Sequence, residues 1–333
     1  MAFSEILGQE RAVRMLQNVL TGERLAHAYL FYGPSGVGKK LAADQFVKAL
    51  YCPSAGSDAC GVCAACRKIA DGNHPDVVRI TAAEASIKID QVRTVQHRLS
   101  YKPYERQRTT VIFDGCEHLT LPAANALLKT LEEPPDNTLL LLLTGHKDAL
   151  PITIVSRCQL VRFQPLAPNH LCTIFTQHGM DPETAHLAAA LSEGRADRFS
   201  ADHFSQTLDC RQTAHSVLQN VAQEKGMTPF LQARQLASKR EQCEELLHWL
   251  ALFLRDLAIL KAAPAVQLHN HDLHAELAPI AQRAPLEQLI EVFNRLQQLR
   301  ANLGLNGNPQ LIFEQSLIHI QQTLTARGAT QRA

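Results

Sequence analysis

The sequence predicts an α/β domain built on a parallel sheet, followed by a region made only of helices. Three observations predict it. Short apolar strands alternate with helices through the first half of the 333 residues. A glycine-rich phosphate-loop pattern directly follows the first strand. From about residue 206 the apolar positions recur only at spacings of three and four. Strands alternating with helices imply a parallel sheet with right-handed crossovers, and loops at the carboxyl ends of its strands bind ligands.

The elements follow in order. Residues 9–21 read as a helix, AYLFY as a strand running into GPSGVGKK, and residues 39–50 as the next helix. A cysteine-rich insert with the composition of a Gly- and Ala-rich loop comes next, then DVVRI as a strand. IDQVRTVQHRL is a helix entered through Asp90, TTVIFD a strand, and PAANALLKTLEE a helix stopped by Pro134 and Pro135. TLLLLLT is apolar without alternation, the mark of a strand buried on both faces, and CQLVRF is a last strand. The prolines of QPLAPN set a boundary near residue 166, and a short helical segment reaches about 205. Beyond it, apolar stripes at Leu246–Leu257, Leu289–Leu296 and Leu311–Leu317 predict a helical bundle suited to assembly.

Composition narrows the function classes. A net charge of +1 carries no basic signature of a stand-alone nucleic-acid binder. MAFSEILGQERAV lacks the apolar core of a signal peptide, and no apolar run approaches the roughly 18 residues of a membrane span. Nine cysteines in such a chain point to a reducing compartment and to metal binding over disulfides. The expectation is a soluble cytoplasmic protein with no membrane partner.

The phosphate loop is degraded where a metal would sit. Gly33, Gly36, Gly38 and Lys39 suit the cradle, in which inward-turned N–H groups and a helix N-terminus hold phosphate oxygens. The next residue ordinarily gives Mg²⁺ a hydroxyl ligand, and here it is Lys40. Two unit charges about 4 Å apart repel by roughly 4 kcal/mol at an effective dielectric near 20, and a dication doubles that. Asp114 ends a buried strand in the usual metal-holding position, but Gly115 and Cys116 follow, and the next acid is Glu117. Both departures argue against hydrolysis. The competing reading is an active enzyme with unusual ligands.

Cys52, Cys60, Cys63 and Cys66 are spaced C-x7-C-x2-C-x2-C, which suits a closed tetrahedral Zn²⁺ site of structural type. Cys116, Cys158, Cys172, Cys210 and Cys243 are scattered and read as small buried residues. His269, His271 and His274 offer metal ligands in principle, though a polar link between helices is the plainer reading. Lys88, Arg93, Arg98, Lys102, Arg106 and Arg108, with Tyr101 and Tyr104, form a basic stretch that is either a DNA-backbone contact or a solvated face.

Several stretches together resemble the clamp-loader branch of the AAA+ superfamily. They are ILGQE at 6–10, HAYLFYGPSGVGKK at 27–40, the four-cysteine insert, NHPD at 73–76, NALLKTLEEPP at 125–135, SRC at 156–158 and NPQLIFEQSL at 308–317. The resemblance implies a RecA-like AAA+ domain over 1–165 with a zinc module at about 52–66, a helical lid over 166–205 and a helical collar over 206–333. It implies a non-hydrolysing stator within a hetero-pentamer that contains gamma or tau and delta subunits and loads a beta sliding clamp onto primed DNA. It further implies that Arg157, beside Ser156, is an arginine finger acting on a neighbour's site, although a surface or salt-bridged arginine is the alternative. Thr144 matches a sensor position or is a strand-end cap, and Arg195 lies near a second sensor. Intact Gly33, Gly38 and Lys39 leave nucleotide binding open.

Overall fold

The structure is a computed structural model. It describes residues 2–22, 24–54, 56–83, 86–105, 108–200, 204–223, 227–236, 240–266, 268–304 and 307–325. The chain divides into two compact units, residues 1–198 and 199–333.

In the first unit the strands are β1 (Ala28–Tyr32), β2 (Val77–Ile80), β3 (Thr109–Asp114), β4 (Thr138–Thr144) and β5 (Gln159–Arg162). They form one sheet of order β2-β3-β4-β1-β5, parallel throughout. The helices are α1 (Glu10–Thr21), α2 (Lys39–Tyr51), α3 (Ala64–Ala70), α4 (Ile89–Leu99), α5 (Leu121–Glu132), α6 (Ile152–Val155), α7 (Pro168–Gln177) and α8 (Pro182–Leu191). All seven residues of β4 are buried, as its unbroken apolar run requires in a sheet covered on both faces. One face packs Leu140 and Leu142 with Val92, Val95, Leu127 and Leu131 of α4 and α5. The architecture is the RecA-like α/β class expected from the sequence.

Register decides where the site forms. Tyr32 pairs with Thr144, and Asp114 pairs with Leu143. The loop after β1, the acid ending β3 and the threonine ending β4 therefore share one carboxyl edge, because β4 lies between β3 and β1.

Two local expectations are corrected. The insert is not loop throughout. Cys63 caps α3 by accepting the Cys66 N–H on its sulfur at 3.4 Å, which starts a helix in a stretch rich in alanine. Asp90 does not open α4; that helix starts at Ile89 behind Lys88, whose N–H is taken by the Gln91 side chain at 3.0 Å.

The second unit holds α9 (Phe204–Gln223), α10 (Thr228–Leu236), α11 (Arg240–Ala262), α12 (His274–Ala281), α13 (Leu286–Gly304) and α14 (Pro309–Thr325). Helix α11 packs against α9, α12, α13 and α14, and its stripe from Leu246 to Leu257 is buried around Trp249. In the last stripe Ile312, Phe313 and Leu317 are buried, but Leu311 is 58% exposed. Three consecutive apolar residues cannot all face one side of a helix at 100° per residue.

The polar link at 269–274 is a clamp. Asp256, fully buried, accepts the N–H groups of His269 and Asn270 and the Asn270 side-chain amide. Arg211 donates to Asn270 Oδ1 at 2.9 Å and grips Asp272 through both terminal nitrogens at 2.9 and 2.6 Å. His271 and His274 are exposed, and the described residues contain no metal-competent cluster that includes them. No helix among the described residues is long and apolar enough to cross a membrane.

Candidate functional site

The loop between β1 and α2 keeps a phosphate cradle's backbone. Gly33, Gly36 and Gly38 have φ of +146°, +69° and +96°, a region that side chains rarely adopt. A Cβ on Gly33 would also meet the Phe163 carbonyl oxygen at 2.2 Å. Lys39 turns back on the loop, donating to the carbonyls of Gly33 and Pro34 at 2.7 and 2.5 Å. Burial lowers the pKa of this amine, against the opposing pull of Glu117, Asp197 and Asp114.

Lys40 reaches across the edge, and its Nζ lies 3.3 Å from Asp114 Oδ2. The carboxylate that would hold a dication instead holds an ammonium. Thr144 is buried, and its hydroxyl accepts the His146 N–H at 3.1 Å, so a strand-end cap is at least part of its role. A cavity of about 610 Å³ opens here, lined among others by Gly36, Lys39, Lys40, Asp114 and Thr144. The structure thus brings the expected nucleotide-site residues together, with Gly33 at the base of the loop.

Two acids join this site: Glu117, read in the sequence only as the next acid after Asp114, and Asp197, which nothing in the sequence singled out. Glu117 lines the same cavity, because Gly115 at φ +82° and a short turn swing it back to the edge. Burial opposes its ionisation, but the Glu117 and Gly145 N–H groups and the Thr144 hydroxyl outweigh this and hold its pKa down. The glutamate missing directly after Asp114 in the sequence thus has an acid, Glu117, beside its place in the cavity. Asp197 also lines the cavity, bonded to Arg195 at 3.1 and 3.3 Å and packed against Gly36, where a Cβ would meet its Oδ1 at 2.2 Å. Glycine at 36 was the available signal for that approach.

Arg157 stands apart, at the end of α6, and lines neither this cavity nor the one beside it. Its guanidinium donates to Thr153 O at 2.9 Å and Ser156 Oγ at 3.4 Å and pairs with Glu132 at 2.7 Å. The salt-bridged alternative therefore describes this chain alone. The pair is part-exposed, a setting in which ion pairs add little stability.

The four cysteines meet although they come from different elements. Cys52 caps the end of α2, Cys60 lies in the loop that follows, Cys63 caps the start of α3 and Cys66 lies in α3. Their sulfurs all lie within 4.8 Å of one another. Zinc–sulfur bonds of about 2.3 Å in a tetrahedron put sulfurs roughly 3.8 Å apart, so the group fits a Cys₄ metal site. N–H groups of Val62 and Cys63 pull the Cys60 thiol down to about 6, while burial pushes the Cys66 thiol up to about 12, so the sulfur geometry and not the titration carries the metal reading. Of the scattered cysteines, Cys116 and Cys243 are buried as expected, while Cys158, Cys172 and Cys210 are only half-buried. In the basic stretch Arg98 donates to Pro75 O at 2.8 Å and stacks over Tyr104, so it supports its own loop. Arg106 lies outside the described residues.

A parallel sheet with a phosphate loop after β1 and an acid ending β3 defines a P-loop nucleotide-binding fold. The family model described as "DNA polymerase III, delta subunit" matches residues 8–167, and that for its C-terminal part matches residues 205–322. The chain belongs to this DNA polymerase III family, in the clamp-loader branch of the AAA+ superfamily. It is 29% identical over 306 residues to DNA polymerase III subunit delta-prime of Bacillus subtilis, covering 90% of this chain and 93% of that one. It is 43% identical over 136 residues to subunit delta-prime of Pseudomonas aeruginosa, covering 40% and 42%. It is also 29% identical over 347 residues to subunit tau of Bacillus subtilis, covering 96% of this chain but 62% of that longer relative.

Proposed function

We propose that this chain is the delta-prime-type stator of a bacterial clamp loader and does not hydrolyse ATP. The observation that carries this is Lys40 Nζ, 3.3 Å from Asp114 Oδ2, where a catalytic dication would need oxygen ligands. The near-full mutual coverage with a delta-prime relative agrees with it. In this reading residues 1–165 are the AAA+ domain, 166–205 the lid and 206–333 the collar. The partners are gamma or tau and delta subunits, the beta clamp and primed DNA, in the cytoplasm. Cys52, Cys60, Cys63 and Cys66 hold a structural zinc, since four thiolates leave no open coordination position. Arg157, lying outside the chain's own cavity, serves a neighbour's site in trans, with Ser156 beside it.

Glu117 favours one rival, an autonomous ATPase in which this acid orients water. ATP turnover separates the two. The isolated chain is expected to show none above background, and Mg²⁺-dependent turnover abolished by Lys39→Ala would support the rival. In a reconstituted loader, Arg157→Ala is expected to leave assembly intact and slow DNA-stimulated hydrolysis. An arginine finger contributes about 10³ to 10⁵ at the one site it serves, and the remaining sites dilute that loss. Arg157→Lys should not restore the rate, because ammonium lacks the planar fork.

A further inference from the structure

We propose that the four-cysteine insert clamps the chain's N-terminal segment, with Asp58 as its positioning residue, and so fixes one wall of a cavity beside the phosphate loop. The proposal rests on the reading of the insert as a metal site. The Phe3 N–H donates to Asp58 Oδ2 at 2.9 Å, across 55 positions of sequence. The other carboxylate oxygen accepts the Ala59 N–H at 2.8 Å, one residue before Cys60. Asp58 is thus held from the metal-ligand side while it holds Phe3.

The span that carries Asp58 is closed at both ends by the cluster. Cys52 and Cys60 are its first and last residues, and the Cys60 N–H points at Cys52 Sγ at 3.4 Å. A metal joining those sulfurs would fix the loop's ends and so the place of the carboxylate. Chain entropy alone would scatter such a loop, and a structural metal supplies more than enough binding energy to order it.

The held segment matters because of what it walls. Phe3 is 1% exposed and begins a short turn in which the Ile6 N–H bonds to the Phe3 carbonyl at 3.1 Å. Ser4, Glu5, Ile6 and Leu7 line a cavity of about 460 Å³ together with Gly36, Val37 and Gly38 of the phosphate loop. A wall made of so short a turn has little regular structure of its own to hold it. A charge-assisted bond from a fixed carboxylate supplies that hold without a long element or a disulfide.

Hydrogen exchange on the full chain tests the clamp. Asp58→Ala should speed exchange in peptides covering residues 2–8 by about ten-fold or more, the loss expected from one hydrogen bond to a charged group. Zinc content and exchange of the β4 strand should stay unchanged. Asp58→Asn, whose amide oxygen still accepts the Phe3 N–H, should keep most of the protection. Stripping zinc with a chelator should reproduce the Asp58→Ala pattern. Unchanged exchange at residues 2–8, either in Asp58→Ala or after zinc removal, overturns the proposal. Metal analysis of the untreated chain is a separate measurement, and its failure would sink the zinc reading itself.

Discussion

Single side chains differ widely in what they decide. Asp256 satisfies three N–H groups in a fully buried place. Asp256→Ala would strand those donors, and a loss of about 3 kcal/mol is expected in urea unfolding of the full chain. His215, on the neighbouring α9, sets a pH dependence. Burial holds its pKa below the ordinary 6.5; Glu276 opposes this, Arg211 reinforces it and Asp272 opposes it. The unfolded chain therefore takes up a proton near pH 6.5 that the folded chain refuses. Its contribution is complete above that pH and is lost as pH falls towards the lower folded value. Urea unfolding at about pH 7.5 and about pH 5.5 should show the drop, and His215→Gln should flatten it. Neither role is legible in sequence, where His215 is one of 15 histidines and Asp256 one acid in an apolar stripe.

At the scale of elements, the insert is the clearest case of spacing carrying chemistry. Two x2 gaps place neighbouring sulfurs on one short turn, and α3 completes it by letting Cys63 cap the helix that carries Cys66. Cys63→Ser should remove the proposed metal, expected at about one zinc per chain by elemental analysis, and loosen the insert. The sheet should keep its circular dichroism, because the insert leaves after α2 and re-enters before β2. The cysteine pattern was legible because metal geometry acts over a few residues. The helix was not, because alanine and glycine there resemble a loop until a sulfur is seen to accept the first N–H.

The whole chain combines a sheet unit with a helical unit, residues 1–198 and 199–333. The helical unit buries its stripes around α11 and leaves Met227, Leu231 and Leu311 exposed at 65%, 60% and 58%. The proposed collar role predicts that a chain ending near residue 205 loses stable association with gamma-type partners. Co-migration of wild-type and shortened chains with those partners on size exclusion would decide it. Unchanged association would refute the collar assignment.

The α/β class, the phosphate loop with its missing hydroxyl, the acid ending β3 and the four-sulfur set are all legible in residue order alone. All of these are short-range facts of residue type and period, which backbone geometry reads within a few positions. That Lys40 meets Asp114, that Glu117 and Asp197 return to the same cavity, that Arg157 stands outside it and that Asp58 reaches Phe3 emerges only from the folded chain. Those relations depend on β4 lying between β3 and β1 and on turns that redirect single side chains. Many sequences share the same local pattern, while packing selects one arrangement of its distant parts.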